Sequence, residues 1–144
     1  MRPLYESQGD RDNEAKVQKV LESKWKVELH KLPISYKVDY LATDYEGLAK
    51  AWIEVKKRKI TIKTFPDIMV SAHKIRTALS LSKATCTPFI FVADLIDGIF
   101  YYKWKEEDAI PCKWGGRTVA TRDSADVEPV FHIPTKYFKE IKQQ

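Results

Sequence analysis

The chain is poor in the residues that staple small proteins together. Its 144 residues hold two cysteines, Cys86 and Cys112, and three histidines, His30, His73 and His132. Two thiols build no disulfide framework, and the scattered histidines share no zinc spacing with them. Free thiols fit a reducing compartment. With five glycines and seven prolines there is no collagen-like or low-complexity tract and no linker that divides the chain. No apolar run approaches the roughly 20 residues of a membrane span, and Met1-Arg2-Pro3-Leu4-Tyr5-Glu6 lacks the apolar stretch of a signal peptide. A cytoplasmic protein without a membrane partner is expected.

What is present is ordinary globular composition, 44% hydrophobic and 12% aromatic, enough for a core without metal or disulfide support. A single domain over residues 1–144 is expected, with its core at about 12–104 and a C-terminal extension at 105–144. The 25 Lys and Arg against 20 Asp and Glu leave a net charge of +5, which favours polyanionic partners.

Val17, Val20 and Leu21 recur at helical spacing and predict a first helix from Asp12 to about Lys24, capped by Asp10 or Asp12. Three extended stretches follow, Trp25 to His30, Tyr36 to Thr43 and Leu48 to Lys57, the last two forming a hairpin through Asp44-Tyr45-Glu46-Gly47. After Phe65-Pro66, the stripe Ile68, Ala72, Ile75, Leu79 predicts a second helix ending near Lys83. Pro88 to Ala93 reads as a strand covered on both faces, and Asp97-Gly98 turns into another, Ile99 to Trp104. A short strand at Val130 to Ile133 and an amphipathic turn at Tyr137 to Ile141 complete the reading.

Alternation in the hairpin sorts the side chains by face. Val38, Tyr40 and Ala42 form one set and Lys37, Asp39 and Leu41 the other, while Ala51, Ile53 and Val55 oppose Trp52, Glu54 and Lys56. With Glu46-Gly47 as the central pair of the turn, Asp39 lies across from Glu54, and Lys37 across from Lys56. On the first helix, Glu14 shares the inward stripe of Val17 and Leu21. It either completes an acidic pocket or complements the helix dipole.

Asp39, the following Glu54-Val55-Lys56, the helix carrying Glu14 and the order of elements over about 12–104 together resemble the PD-(D/E)XK nuclease superfamily. Val38 stands where the motif's name has proline. A proline in a paired strand would remove a ladder bond, and its ring has no chemical task. The resemblance implies an α/β, restriction-endonuclease-like fold: a central mixed sheet in α-β-β-β-α-β order with helices on both faces. It implies hydrolysis of DNA phosphodiester bonds, with branched or phage DNA as substrate by analogy with small phage endonucleases and Holliday junction resolvases, and it implies a homodimer. RNA stays open as a substrate, and so does a catalytically inactive nucleic-acid-binding protein of the same fold.

By that resemblance Asp39, Glu54 and the Val55 carbonyl hold Mg²⁺, or Mn²⁺ in its place, and Glu14 serves a second metal position. Lys56 orients the attacking water and helps deprotonate it. Candidate nucleic-acid contacts are Lys37, Lys57, Arg58, Lys74, Trp114 and Arg117. The strand-end residues Lys57 and Arg58 either track phosphates or keep the strand end solvated. Trp114-Gly115-Gly116-Arg117 reads as a flexible loop able to stack on bases, its glycines supplying positive φ. Asp123, Asp126 and Glu128 read as loop acids, and His73 as a surface helix residue.

Overall fold

A computed structural model describes residues 8–116 and 127–143. The first helix, α1 (Gln8–Trp25), starts earlier than its stripe indicates, so Asp10 and Asp12 lie inside it and neither caps it. It ends at Lys26, which takes a left-handed φ of 54°. Val17 and Leu21 are fully buried on its inner face.

Strands β1 (Glu28–Lys31), β2 (Tyr40–Thr43) and β3 (Ala49–Lys57) form an antiparallel meander. β2 is shorter than expected at its start. Ile34–Tyr36 close a 3₁₀ turn and Lys37 follows at φ 60°, which interrupts extended backbone until Tyr40. The predicted facing sets therefore break at Val38: it packs with Trp52 and Phe89, whereas Tyr40 and Ala42 pack with Val17 and Leu21.

The β2–β3 connection is not a two-residue turn. Asp44 N–H donates to the Leu48 carbonyl at 2.9 Å, and a bulge between Ala42 and Thr43 then shifts the ladder, so Thr43 pairs with Ala49 while Tyr40 pairs with Ile53. One step past Tyr40, this register sets Asp39 opposite Glu54. The expected juxtaposition of the two acids is reached by a different turn.

β4 (Asp67–Ser71) occupies residues that the helical stripe assigns to the second helix, so α2 (Ala72–Thr85) starts at Ala72. Ile68 is buried from a strand, not from that helix. β5 (Phe89–Leu95) then runs parallel to β3, and β6 (Gly98–Lys103) turns back on it. β7 (Cys112–Gly116), β8 (Val127–Pro134) and β9 (Lys139–Ile141) complete the order, with Thr135–Tyr137 as a 3₁₀ turn before the last strand. β9 replaces the terminal amphipathic turn expected there.

Two sheets result. The larger is ordered β1-β2-β3-β5-β6-β9 and is mixed, with β3 and β5 as its parallel pair; the smaller is β4-β8-β7. Helix α1 covers one face of the large sheet through Val17, Leu21, Ile53, Val92 and Ile141. Helix α2 covers the other through Ile75 and Ala78, which pack with Trp52, Phe89, Phe91 and Ile133. The α/β class and the helices on both faces are as expected. Four strands, not three, separate α1 from α2 in the chain, because β4 precedes α2 and pairs in the smaller sheet. Beyond residue 104, β9 belongs to the large sheet and β8 carries Ile133 into its core. Among the described residues no helix is long and apolar enough to cross a membrane.

Candidate active site

β3 is apolar on both faces, because Ile53 turns toward α1 and Trp52 toward α2. Glu54 shares the face of Trp52, and its side chain keeps 3% of its exposure. The polar face expected of this ribbon is therefore covered by α2. Burial is the largest influence on Glu54 and raises its pKa, the charge of Asp39 pushes it further up, and Lys56 and Lys74 pull the other way.

Two ammonium groups approach this carboxylate. Lys56 Nζ lies 3.1 Å from Glu54 Oε2, and Lys74 Nζ, from the first turn of α2, lies 3.8 Å from the same oxygen. Lys56 is near enough to donate to Oε2 and Lys74 is too distant to do so, which leaves the buried Oε1 without a donor. A buried carboxylate oxygen in that state carries a desolvation cost that a bound cation would offset.

Asp39 stands just ahead of β2. Its main-chain carbonyl accepts the Leu32 N–H at 2.9 Å, and its Oδ2 accepts the Val55 N–H at 2.7 Å. The side chain thus takes the ladder position that β2 is too short to fill. In an extended strand the N–H and C=O of one residue point to the same edge, so the Val55 carbonyl faces that opening as well. Asp39 and Glu54, joined through the backbone of Val55, form the acidic centre.

Glu14 reaches that centre through Lys31. Its Oε1 accepts from Lys31 Nζ at 2.8 Å, and the same ammonium lies 3.8 Å from Asp39 Oδ1. Burial pulls Lys31 down, but the bond to Glu14 and the charges of Asp39, Glu14 and Tyr40 outweigh it, and the net shift is upward. Two ionic groups meet at Asp39: Glu14 and Lys31 on the α1 side, and Glu54, Lys56 and Lys74 on the α2 side. Among the described residues no three His, Cys, Asp or Glu side chains converge as a metal cluster. A metal site here would rest on two carboxylates and a main-chain carbonyl, a hard oxygen donor set that suits Mg²⁺ or Mn²⁺.

Lys31 is the residue that sequence reasoning missed. It sits two places after buried Leu29 on β1, and that alternation was the available signal. Lys37 does not pair across from Lys56. It lies ahead of β2, and its Nζ is 3.0 Å from His73 Nε2 on the exposed side of α2. Lys57 ends β3 opposite Asp94, and the Arg58 N–H donates to the Asp94 carbonyl at 3.0 Å.

Trp114 belongs to β7 rather than to a loop and is 75% exposed. Gly115 beside it has no positive φ; its role is close approach, since a Cβ there would meet Val130 Cγ2 at 2.6 Å. Arg117, Asp123 and Asp126 lie outside the described residues, and Glu128 lies on β8.

A mixed sheet between two helices, with an aspartate leading into one strand and a Glu-x-Lys triplet on the next, is the architecture of PD-(D/E)XK nucleases. The chain belongs to the family described as "Phage putative PDDEXK endonuclease", which matches residues 1–141. No curated protein matches it. Among solved structures the chain resembles Hjc, a Holliday junction resolvase of the hyperthermophilic archaeon Archaeoglobus fulgidus, with a TM-score of 0.57 at 18% identity over 94% of this chain and 93% of that one. The likeness shows a shared fold.

Proposed function

We propose that this protein is a divalent-metal-dependent endonuclease that hydrolyses DNA phosphodiester bonds, with branched DNA of the kind a junction resolvase cuts as its substrate. The observation that carries the reading is Glu54: a buried carboxylate whose Oε1 lacks a donor, beside Asp39 and between two lysines. Asp39, Glu54 and the Val55 carbonyl would hold Mg²⁺ or Mn²⁺, which supplies charge neutralisation at the scissile phosphate and a more acidic bound water. A cation there would also satisfy the orphaned Oε1.

The chain's own groups divide the remaining work. Lys56, tethered to Glu54, orients the attacking water and takes up its proton when deprotonated. Lys74, on α2 and 3.8 Å from Glu54, would meet a phosphate oxygen and offset the charge that develops on it. Val55 fixes Asp39 through its N–H, so the carboxylate is pre-oriented. Lys37, Lys57 and Arg58 extend positive charge around this opening, and Trp114 with Arg117 offers a stacking and phosphate contact at β7. A homodimer would present two such centres to the two backbones of a junction. The family's phage origin suits action on DNA in the cytoplasm of an infected bacterium.

The test is cleavage of supercoiled plasmid and of a four-way junction, with and without Mg²⁺, by wild type, Glu54→Ala and Lys56→Ala. Wild type should cut only with the metal, and each variant should lose at least a hundredfold in rate while still binding DNA in a salt-sensitive manner. Equal cutting by wild type and both variants would refute the assignment. Binding without cutting by wild type would identify the inactive nucleic-acid-binding alternative, and the same assay on RNA would reveal whether the substrate class is wider.

A further inference from the structure

The ammonium of Lys31 occupies ground that a second metal ion would need. Lys31 is the last residue of β1, opposite Tyr40 in the ladder, and its Nζ stands 5.1 Å from the centre of the Tyr40 ring. The ladder fixes its backbone and the ring faces its ammonium. From there the ammonium reaches Glu14 Oε1 at 2.8 Å and Asp39 Oδ1 at 3.8 Å. Asp39 has its other oxygen committed to the Val55 N–H. Glu14 therefore faces a lysine, and Asp39 is held from two directions before any metal arrives.

We propose that Lys31 is a positioning residue that acts as a built-in cation: its ammonium fills the gap between Glu14 and Asp39, orients Asp39, and restricts the catalytic centre to one divalent ion. The inference rests on the reading above that Asp39 and Glu54 hold a metal, and it departs from the resemblance, which gives Glu14 a second metal position.

The argument is electrostatic. Two carboxylates facing one gap attract a divalent cation, whereas the same pair bridged by an ammonium carries only one net negative charge, and the ammonium repels a second cation at close range. Lysine suits the place because its ammonium is a compact point charge with three donors, comparable in its demands to a small hydrated ion. On the Glu54 side the ammonium groups of Lys56 and Lys74 already face one acid, so net charge does not by itself favour an ion there. What assigns the single ion to that side is the oxygen set: buried Glu54 Oε1 has no donor, whereas Glu14 Oε1 is taken by Lys31 at 2.8 Å.

Mn²⁺ titration of the full chain without DNA, with free Mn²⁺ followed by electron paramagnetic resonance, separates the outcomes. Wild type and Lys31→Arg should bind one ion. Lys31→Met should bind two, the second at least tenfold more weakly, and the double variant Lys31→Met/Glu14→Gln should return to one. Two ions on wild type, or one ion on a Lys31→Met protein with a native melting curve, would overturn the inference while leaving the metal reading intact. Should Lys31→Met not fold, Glu14→Gln alone decides the matter: its Mn²⁺ affinity should stay within threefold of wild type, and a tenfold loss would make Glu14 a ligand. Wild type that binds no Mn²⁺, or binding that survives Glu54→Gln, removes the metal reading itself and this inference with it.

Discussion

Glu54 carries its charge in a place where charge is unfavourable, and the consequence has a definite sign. Its pKa is raised, by burial first and by Asp39 second, so the native state holds its proton more tightly than the unfolded chain does. Stability of the metal-free protein should fall as pH rises from the ordinary glutamate value through the raised one, and stay lowered above it. Glu54→Gln should then melt higher than metal-free wild type at neutral pH, with the difference vanishing in acid, while cleavage is lost. Added Mg²⁺ should raise the melting temperature of wild type and not of the variant; at 100 times its dissociation constant a ligand that binds only the native state stabilises by about 2.7 kcal/mol. Differential scanning calorimetry across pH checks both statements. Asp39, Glu54 and Lys56 are legible in the sequence because a period of two and one hairpin register determine which residues can meet. Lys31 is not, since a polar residue at the end of a four-residue strand looks solvated until the helix above it is placed.

At the level of elements, the hairpin shows how a wrong turn can still yield the right register. The Asp44 carboxylate accepts the N–H groups of Glu46 and Leu48 at 2.9 and 3.0 Å, and the bulge beyond it restores the pairing that a two-residue turn would have produced. The Leu48 N–H is the foremost cause of a lowered Asp44 pKa, partial burial opposes it, and the Glu46 N–H and Lys50 reinforce it. A depressed carboxylate contributes stability above its unfolded value and loses it as pH falls through the folded one. Asp44→Ala should therefore melt a few degrees below wild type at neutral pH, the gap closing in strong acid. Residues 68–71 are hard to read for a related reason: a short, mostly apolar segment fits a helical stripe and a strand equally well when it abuts a true helix. Gly115 reads as a turn residue in the sequence, but the glycine is demanded by Val130 across the ladder. Gly115→Ala should lower stability by about 1–3 kcal/mol, read by urea unfolding.

For the whole molecule, composition and order are enough for the α/β class and the two covered faces, because β3 and β5 read as strands and the helices beside them show one apolar stripe each. The second sheet is not legible; β4 and β8 pair across about sixty residues, and no local pattern encodes a partner at that distance. Ile53 sits fully buried under α1, so Ile53→Ala should cost about 2–5 kcal/mol, against a small change for Asp39→Asn. Removing Lys57 or Arg58 should leave the melting curve close to wild type and reduce the slope of log affinity against log salt by about 0.9 for each phosphate no longer neutralised.

The three residues of β9 have a reach out of proportion to their number. Ile141 lies in the same apolar cluster as Val17 and Leu21, so the seat of α1 is assembled from segments more than a hundred positions apart. Closing so long a loop is slow relative to forming the β5–β6 hairpin. The seat of α1, and with it the meeting of Glu14 with Lys31, therefore depends on the two ends of the chain finding each other, so trimming β9 should loosen α1 before it disturbs the β5–β6 hairpin, read by hydrogen exchange.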